Sequence, residues 1–237
     1  MNEIHPTAII EGDVHLGDGN TIGPFAVITG PVTIGDDNWF GAGVVIGAAP
    51  EVRSFHQRGP DQGGVPAGVL IGSHNVLREY AQIHQGMAAT TRVGDGSFIM
   101  NQAYIAHDSR IGNEVTLASS VLLAGHVVVE DRANIGMGTC VHQFRHVGVG
   151  AMVGMGAVVT RDIPAYSIAY GSPARVRGAN RVGLERAGCS PSVIADLDGA
   201  YSRGLPIDAS ALPLPLRILN DLTAASLRER SLVGEGD

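Results

Sequence analysis

Aliphatic or aromatic residues recur in this chain at every sixth position. They run from Ile4 through Ile10, Leu16, Ile22, Ile28, Ile34 and Phe40 to Ile46, and resume at Ile71, Leu77 and Ile83. They then continue without a break from Val93 through Ile99, Ile105, Ile111, Leu117, Leu123, Val129, Ile135, Val141, Val147 and Val153 to Val159, making twenty-three hexads in all. The next residue is often glycine (Gly17, Gly23, Gly35, Gly112, Gly136, Gly154), and the fifth is usually small or β-branched (Ala26, Ala81, Ala103, Val115, Val121, Ala133, Ala157). A period of six fits neither a helix nor a simple alternating strand. It predicts a coil of three short strands, with one inward aliphatic per hexad and tight corners that favour residues tolerant of positive φ. Three hexads close an 18-residue coil, so the chain builds a parallel β-helix of seven to eight coils, an all-β solenoid.

The pattern also shows where the chain leaves the stack. Residues 47–70 form a polar, Gly/Pro-rich insertion long enough to suggest function, and residues 87–92 form a shorter one. The repeat stops at Asp162-Ile163-Pro164. Ser190 followed by Pro191 is a helix start and predicts a helix over 191–202; a second, with Leu216, Leu219, Leu222 and Leu227 on one side, is predicted over 214–230. The division is therefore a β-helix over 1–172 and a C-terminal helical extension over 173–237.

Composition narrows the chemistry. The 237 residues are 44% hydrophobic and 16% charged, which excludes a disordered chain. A net charge of −7 argues against a nucleic-acid partner. All sixteen basic residues are arginine, so a lysine nucleophile is impossible. Cys140 and Cys189 make neither a disulfide framework nor a zinc-finger spacing. With no apolar run of about 20 residues and no leader-like N-terminus, neither stable membrane insertion nor export is expected; a cytoplasmic location fits best.

Hexads 18 residues apart stack on one face. Those starting at Ile105, Leu123 and Val141 lie one above another, and the one at Ile83 joins them if the 87–92 insertion bulges from a corner. They carry His107, His126, His142 and His84, which should form one vertical strip, since adjacent strands are about 4.8 Å apart. Four histidines in one strip point to a site rather than to scattered polar surface. A zinc site of the hexapeptide carbonic anhydrase kind needs a histidine pair five residues apart. His142 and His146 are four apart, so no metal is expected.

The segments IHPTAII (4–10), IAHDSRIGN (105–113), LAGHV (123–127), VHQF (141–144) and MVGMGAVVTRDIPAYSIAYGSPA (152–174) carry a family resemblance over residues 1 to about 203. The chain resembles the acyl-carrier-protein-dependent UDP-N-acetylglucosamine O-acyltransferases that begin lipid A synthesis. The resemblance implies a left-handed β-helix and a homotrimer with sites between neighbouring subunits. It also implies transfer of a 3-hydroxyacyl chain from an acyl-carrier-protein thioester to the sugar 3-hydroxyl, with no dissociable cofactor. His107 would be the general base, Asp108 its orienting partner, and the Gly125 N–H the oxyanion donor. His84, Tyr104, His126, His142 and Gln143 would line the substrate cleft, with Asn180 and Arg186 at the nucleotide. Met155 stands at the position that measures acyl length and implies a medium chain.

An imidazole suits the base role at neutral pH. Residues 161–186 carry Arg161, Arg175, Arg177, Arg181 and Arg186 against Asp162 and Glu185, a local excess suited to a diphosphate or an acidic carrier protein. The sequence departs from the family where it reads the sugar nucleotide. Tyr104 replaces a histidine, Val182 and Ala187 replace a polar and a basic residue, and the insertion reads Glu51-Val52-Arg53 without its lysine. Those departures keep open an amino-sugar acceptor (N-acylation), an acyl-CoA donor, and a non-enzymatic sugar-nucleotide binder.

Overall fold

A computed structural model describes residues 1–55 and 67–204. The 214–230 helix expected from sequence lies outside the described residues.

Each of the twenty-three hexads forms one short strand, from Glu3–Ile4 to Val158–Val159, and its apolar residue faces inward except in the first strand, where Ile4 is exposed at the open end. The strands fall into three parallel sheets, the faces of a prism. The first face begins at Glu3–Ile4, the second at Ile9–Glu11 and the third at Val14–Leu16; the second ends at Val158–Val159 and the third at His146–Val147. Regular registers step by 18 residues, as in Ile10↔Ile28 and Ile105↔Leu123. The insertions lengthen two steps, Ile46↔Ile83 and Ile83↔Ile105, yet the second face stays in line through both.

Inside the prism the stacked aliphatics form one continuous core in which Ile28, Phe40, Ile83, Ile105, Leu123 and Ile135 have no exposed area. Such burial is worth roughly 1.5–3 kcal/mol per side chain, so the ladder dominates stability. A polar column runs beside it at the corner joining the third face to the first. There Asn20 Oδ1 accepts the Asn38 N–H at 2.9 Å, Asn38 Oδ1 that of Asn75 at 2.9 Å, and Asn75 Oδ1 that of Ser97 at 2.8 Å. Each buried amide thereby fastens one coil to the next.

Corners turn through left-handed residues. Asp108, His126 and Phe144, one above another between the second and third faces, have φ of 60°, 61° and 61°. Asp and His tolerate this region better than most side chains.

The C-terminal part differs from the sequence expectation. The stack continues one strand beyond the last hexad: Ser167–Tyr170 pairs in parallel with Met152–Val153, placing Ala169 against Val153 after 16 residues instead of 18. The segment from 173 on is not wholly helical, because Arg175–Ala179 returns antiparallel along Ser167–Tyr170. Helix α1, Arg181–Arg186, follows and was not expected. Helix α2, Pro191–Ser202, has the predicted bounds. A second small core of Val149, Tyr166, Leu184, Ile194, Leu197 and Tyr201 seats both helices on the end of the prism. No helix among the described residues is long and apolar enough to cross a membrane.

Candidate active site

The second corner gathers the chemistry. His107 and Asp108 follow the strand Tyr104–Ile105, and Gly125 and His126 occupy the same turn one coil above. His107 Nδ1 lies 2.7 Å from Asp108 Oδ2, and His126 Nε2 is 3.6 Å from the same oxygen. The two imidazoles meet edge to face with centroids 5.1 Å apart. A carboxylate oxygen only accepts, so the proton on this side of His107 belongs to Nδ1 and Nε2 keeps its lone pair.

Nε2 points at Gly125. A Cβ on that residue would stand 2.6 Å from Nε2 and from Cε1, so only glycine lets the ring lie there. The Gly125 N–H makes no hydrogen bond among the described residues, whereas its carbonyl accepts from Phe144 at 3.1 Å. A base nitrogen and an open backbone donor thus share one small space.

The Asp108 side chain is fully buried. Its Oδ1 accepts from the backbone N–H groups of Met87, Ala88 and Ala89 at 3.0, 2.9 and 2.6 Å. Burial alone would push this carboxyl up. The His107 hydrogen bond, the Ala89 and Ala88 N–H groups and the nearby His126 outweigh it and hold the group below the usual aspartate range. His107, Asp108 and His126 also bring three metal-type donor atoms within 4.8 Å of one another, a set the histidine spacing does not suggest. The oxygens of Asp108 are already engaged by N–H groups and an imidazole, however, which suits an acid–base pair better than a ligand.

One coil below, His84 and Tyr104 place their rings 5.2 Å apart. Glu51, from the start of the long insertion, joins them with Oε1 3.3 Å from His84 Nε2. That contact has ion-pair distance but lacks hydrogen-bond alignment, and among the described residues Nε2 has no hydrogen-bond partner. Burial first, and Glu51 second, push the Tyr104 phenol well above its usual range. The family resemblance places Glu51 in the substrate segment of the insertion; its pairing with His84 and Tyr104 is not expected from sequence, because the insertion has no repeat to fix its position.

The histidine strip is therefore divided. His107 and His126 touch, and His84 belongs with Tyr104 and Glu51. His142 is exposed, with Nδ1 3.1 Å from the carbonyl of Gln143. Phe144 fills the place above His126, stacked at 4.5 Å with planes 9° apart, a contact that sequence reasoning missed.

The remaining expected residues lie on other edges. Asn180 caps α1, accepting from the Gly183 N–H at 3.1 Å, and donates to Gly150 O at 2.8 Å at the corner between the third and first faces. Arg186 ends that helix. Met155 is highly exposed at the corner between the first and second faces, one coil above the exposed Met137. Within the arginine-rich segment, Arg181 is held by Asp198 at 2.7 Å and Arg177 lies over the Tyr170 ring.

Comparison with known proteins gives the family of the chain. Residues 162–205 match the model of UDP-N-acetylglucosamine O-acyltransferase domain 2, and residues 90–125 match that of bacterial transferase hexapeptide repeats. A UDP-N-acetylglucosamine acyltransferase from Campylobacter jejuni is 31% identical, with a TM-score of 0.71, over 84% of this chain and 81% of its own. The chain belongs to the UDP-N-acetylglucosamine acyltransferase family. The Moraxella catarrhalis O-acyltransferase superimposes with a TM-score of 0.74 at 30% identity, covering 97% of this chain and 93% of its own. Among curated family members, the acyl-[acyl-carrier-protein]–UDP-N-acetylglucosamine O-acyltransferase of Gloeothece citriformis is 39% identical over 195 residues. The chain spans 62% of that relative's length and 55% of the Pseudomonas putida (strain F1) enzyme, to which it is 45% identical over 141 residues.

Proposed function

We propose that the protein transfers a 3-hydroxyacyl chain from an acyl-carrier-protein thioester to the 3-hydroxyl of UDP-N-acetylglucosamine. The observation that carries the reading is the approach of His107 Nε2 to Gly125, with Nδ1 held by an ionised Asp108. Nε2 takes the proton of the sugar hydroxyl as its oxygen attacks the thioester carbonyl carbon. The tetrahedral oxyanion is met by the Gly125 N–H, a fixed donor that needs no reorganisation. Collapse breaks the carbon–sulfur bond, and the departing thiolate takes the proton from the imidazolium. The thioester supplies the activation, so the step uses no metal or cofactor. His84, Tyr104, His126, His142 and Gln143 line the cleft in this reading.

The site needs a second copy of the chain. Asn180, a nucleotide contact in this reading, stands at a different corner from His107, and Arg186, the other, ends the helix that Asn180 caps. The outer side of the second face carries the exposed Leu122 and Val158 around Cys140, an apolar wall suited to a neighbouring subunit and an acyl chain. A homotrimer with three sites between subunits satisfies both, and Met155 at the end of that wall limits the chain to medium length.

Glu51 favours one second reading. A carboxylate beside Tyr104 and His84 would suit an ammonium group, hence N-acylation of an amino-sugar nucleotide. Mass spectrometry with UDP-N-acetylglucosamine, its 3-amino counterpart and a series of 3-hydroxyacyl-carrier thioesters separates the two. The proposal expects an acylated UDP-N-acetylglucosamine that is absent with His107→Ala. A product from the amino sugar alone would establish the second reading, and none from either would overturn both.

A further inference from the structure

We propose that the turn at residues 86–90, which joins the strands Gln82–His84 and Thr91–Val93 where the sequence expects the 87–92 insertion, is the positioning element of the acid–base pair: the N–H groups of Met87, Ala88 and Ala89 hold Asp108 as a carboxylate and aim its other oxygen at His107 Nδ1. The inference rests on the reading of His107 as the base, and adds what sets that base. Asp36, Asp95 and Asp131, in regular corners, each accept a backbone N–H from a single residue in the coil below. Beneath Asp108 the inward residues Ile83 and Val93 are ten apart instead of six, and the extra chain supplies three donors to one oxygen. The turn is tied down at its base, where the N–H groups of Gly86 and Thr91 both reach Gly68 O at 3.1 Å. It also needs glycine at 86, where a Cβ would stand 1.7 Å from Ala89 O. Thr91, fully buried, accepts the N–H of Asp108 itself through Oγ1 at 2.9 Å and so fixes the left-handed corner.

The insertion presents no ionisable side chain. Among the described residues, the ionisable groups within ion-pair reach of Asp108 are His107 from its own corner and His126 from the coil above. With Oδ1 filled by three donors, the carboxylate does not take up the proton that reaches His107, and the Nδ1–H···Oδ2 bond persists through the cycle. The same donors share the carboxylate charge and temper its pull on the imidazolium, which keeps Nε2 ready to release its proton to the leaving thiolate.

Ala89→Pro deletes the shortest of the three N–H donors, while Ala89→Gly keeps it. The ring-nitrogen NMR shifts of His107 are followed against pH in the full-length protein without substrate, His107→Ala supplying the assignment. Alongside, the acid limb of kcat/KM is measured. With one donor lost, the carboxylate pulls harder on the imidazolium. The His107 titration and the acid limb should then move up together by about half a pH unit, with kcat down about tenfold and acceptor KM within twofold. Ala89→Gly should restore the wild-type titration. Thr91→Val, which removes only the hydroxyl, should move the titration away from its wild-type midpoint and serves if the proline variant does not fold. A titration that stays put in the folded variants, with activity loss following thermal stability alone, would show the insertion to be merely structural and overturn the proposal. Should the wild type transfer no acyl group at all, the functional reading falls and the NMR titration still decides this one.

Discussion

A methyl group at Gly125 would stand 2.6 Å from His107 Nε2, although the backbone there is not in a glycine-only conformation. Gly125→Ala should therefore push the imidazole aside without disturbing the coil. We expect kcat to fall on the order of 10²-fold, the usual cost of displacing a reacting group by about an ångström; thermal unfolding should show the melting temperature nearly unchanged. Asp108→Asn tests the tautomer. The amide oxygen can take the three N–H groups, which leaves the amide NH₂ facing His107 Nδ1 and drives the ring proton to Nε2. Activity should drop on the order of 10³-fold, measured in the same product assay. Asp108 also contributes to acid stability. Its carboxyl is held below its unfolded value, so its contribution is complete above the ordinary aspartate range near pH 4 and is lost as pH falls through the lower folded value. Urea midpoints of wild type and Asp108→Asn should differ most above pH 4 and converge below it.

At the scale of elements, each strand contributes little beyond its inward side chain. Ile135→Ala should cost roughly 2–5 kcal/mol, whereas changing its outward neighbour Asn134 should change stability by less than about 0.5 kcal/mol. Urea titration distinguishes them. This one-residue dependence is why the strands were legible from sequence: a single aliphatic every six positions specifies both the strand and its face. It is also why the end of the prism was not. Ala169 reaches the inward position two residues early, and Arg181–Arg186 is a six-residue helix with a glycine inside, too short for periodicity to reveal. The bounds of α2 were legible because proline after serine marks a helix start locally. At the site, His107 and His126 could be stacked by counting, whereas Asp108 and Gly125 were legible only through the family resemblance. The clamp on Asp108 could not, since backbone N–H groups of Met87, Ala88 and Ala89 carry no sequence signature. The partners of Glu51 escaped because a long insertion, rather than the repeat, delivers it.

For the whole molecule, the separation of His107 from Arg186 gives a test of assembly. His107→Ala and Arg186→Ala chains, each impaired alone, should regain activity when unfolded and refolded together. Half of the randomly formed sites keep His107, and half of those meet a neighbour that keeps Arg186, so about a quarter of wild-type activity is expected from interfacial sites. Sites contained within one subunit would show no recovery from mixing. The same separation follows from the 18-residue step, which makes chain length a measure of angle. Removing six residues between Val127 and Val149 would leave every remaining aliphatic facing inward, yet it would swing the helical cap a third of a turn about the prism axis. Arg186 would be carried round with the cap, and an interfacial site built on it would lose its activity. Removing eighteen would lower the cap by one coil and return it to its original bearing. A deletion in this part of the chain therefore keeps the bearing of the cap only when it removes whole turns, and a prism of this kind can change its height far more freely than its orientation.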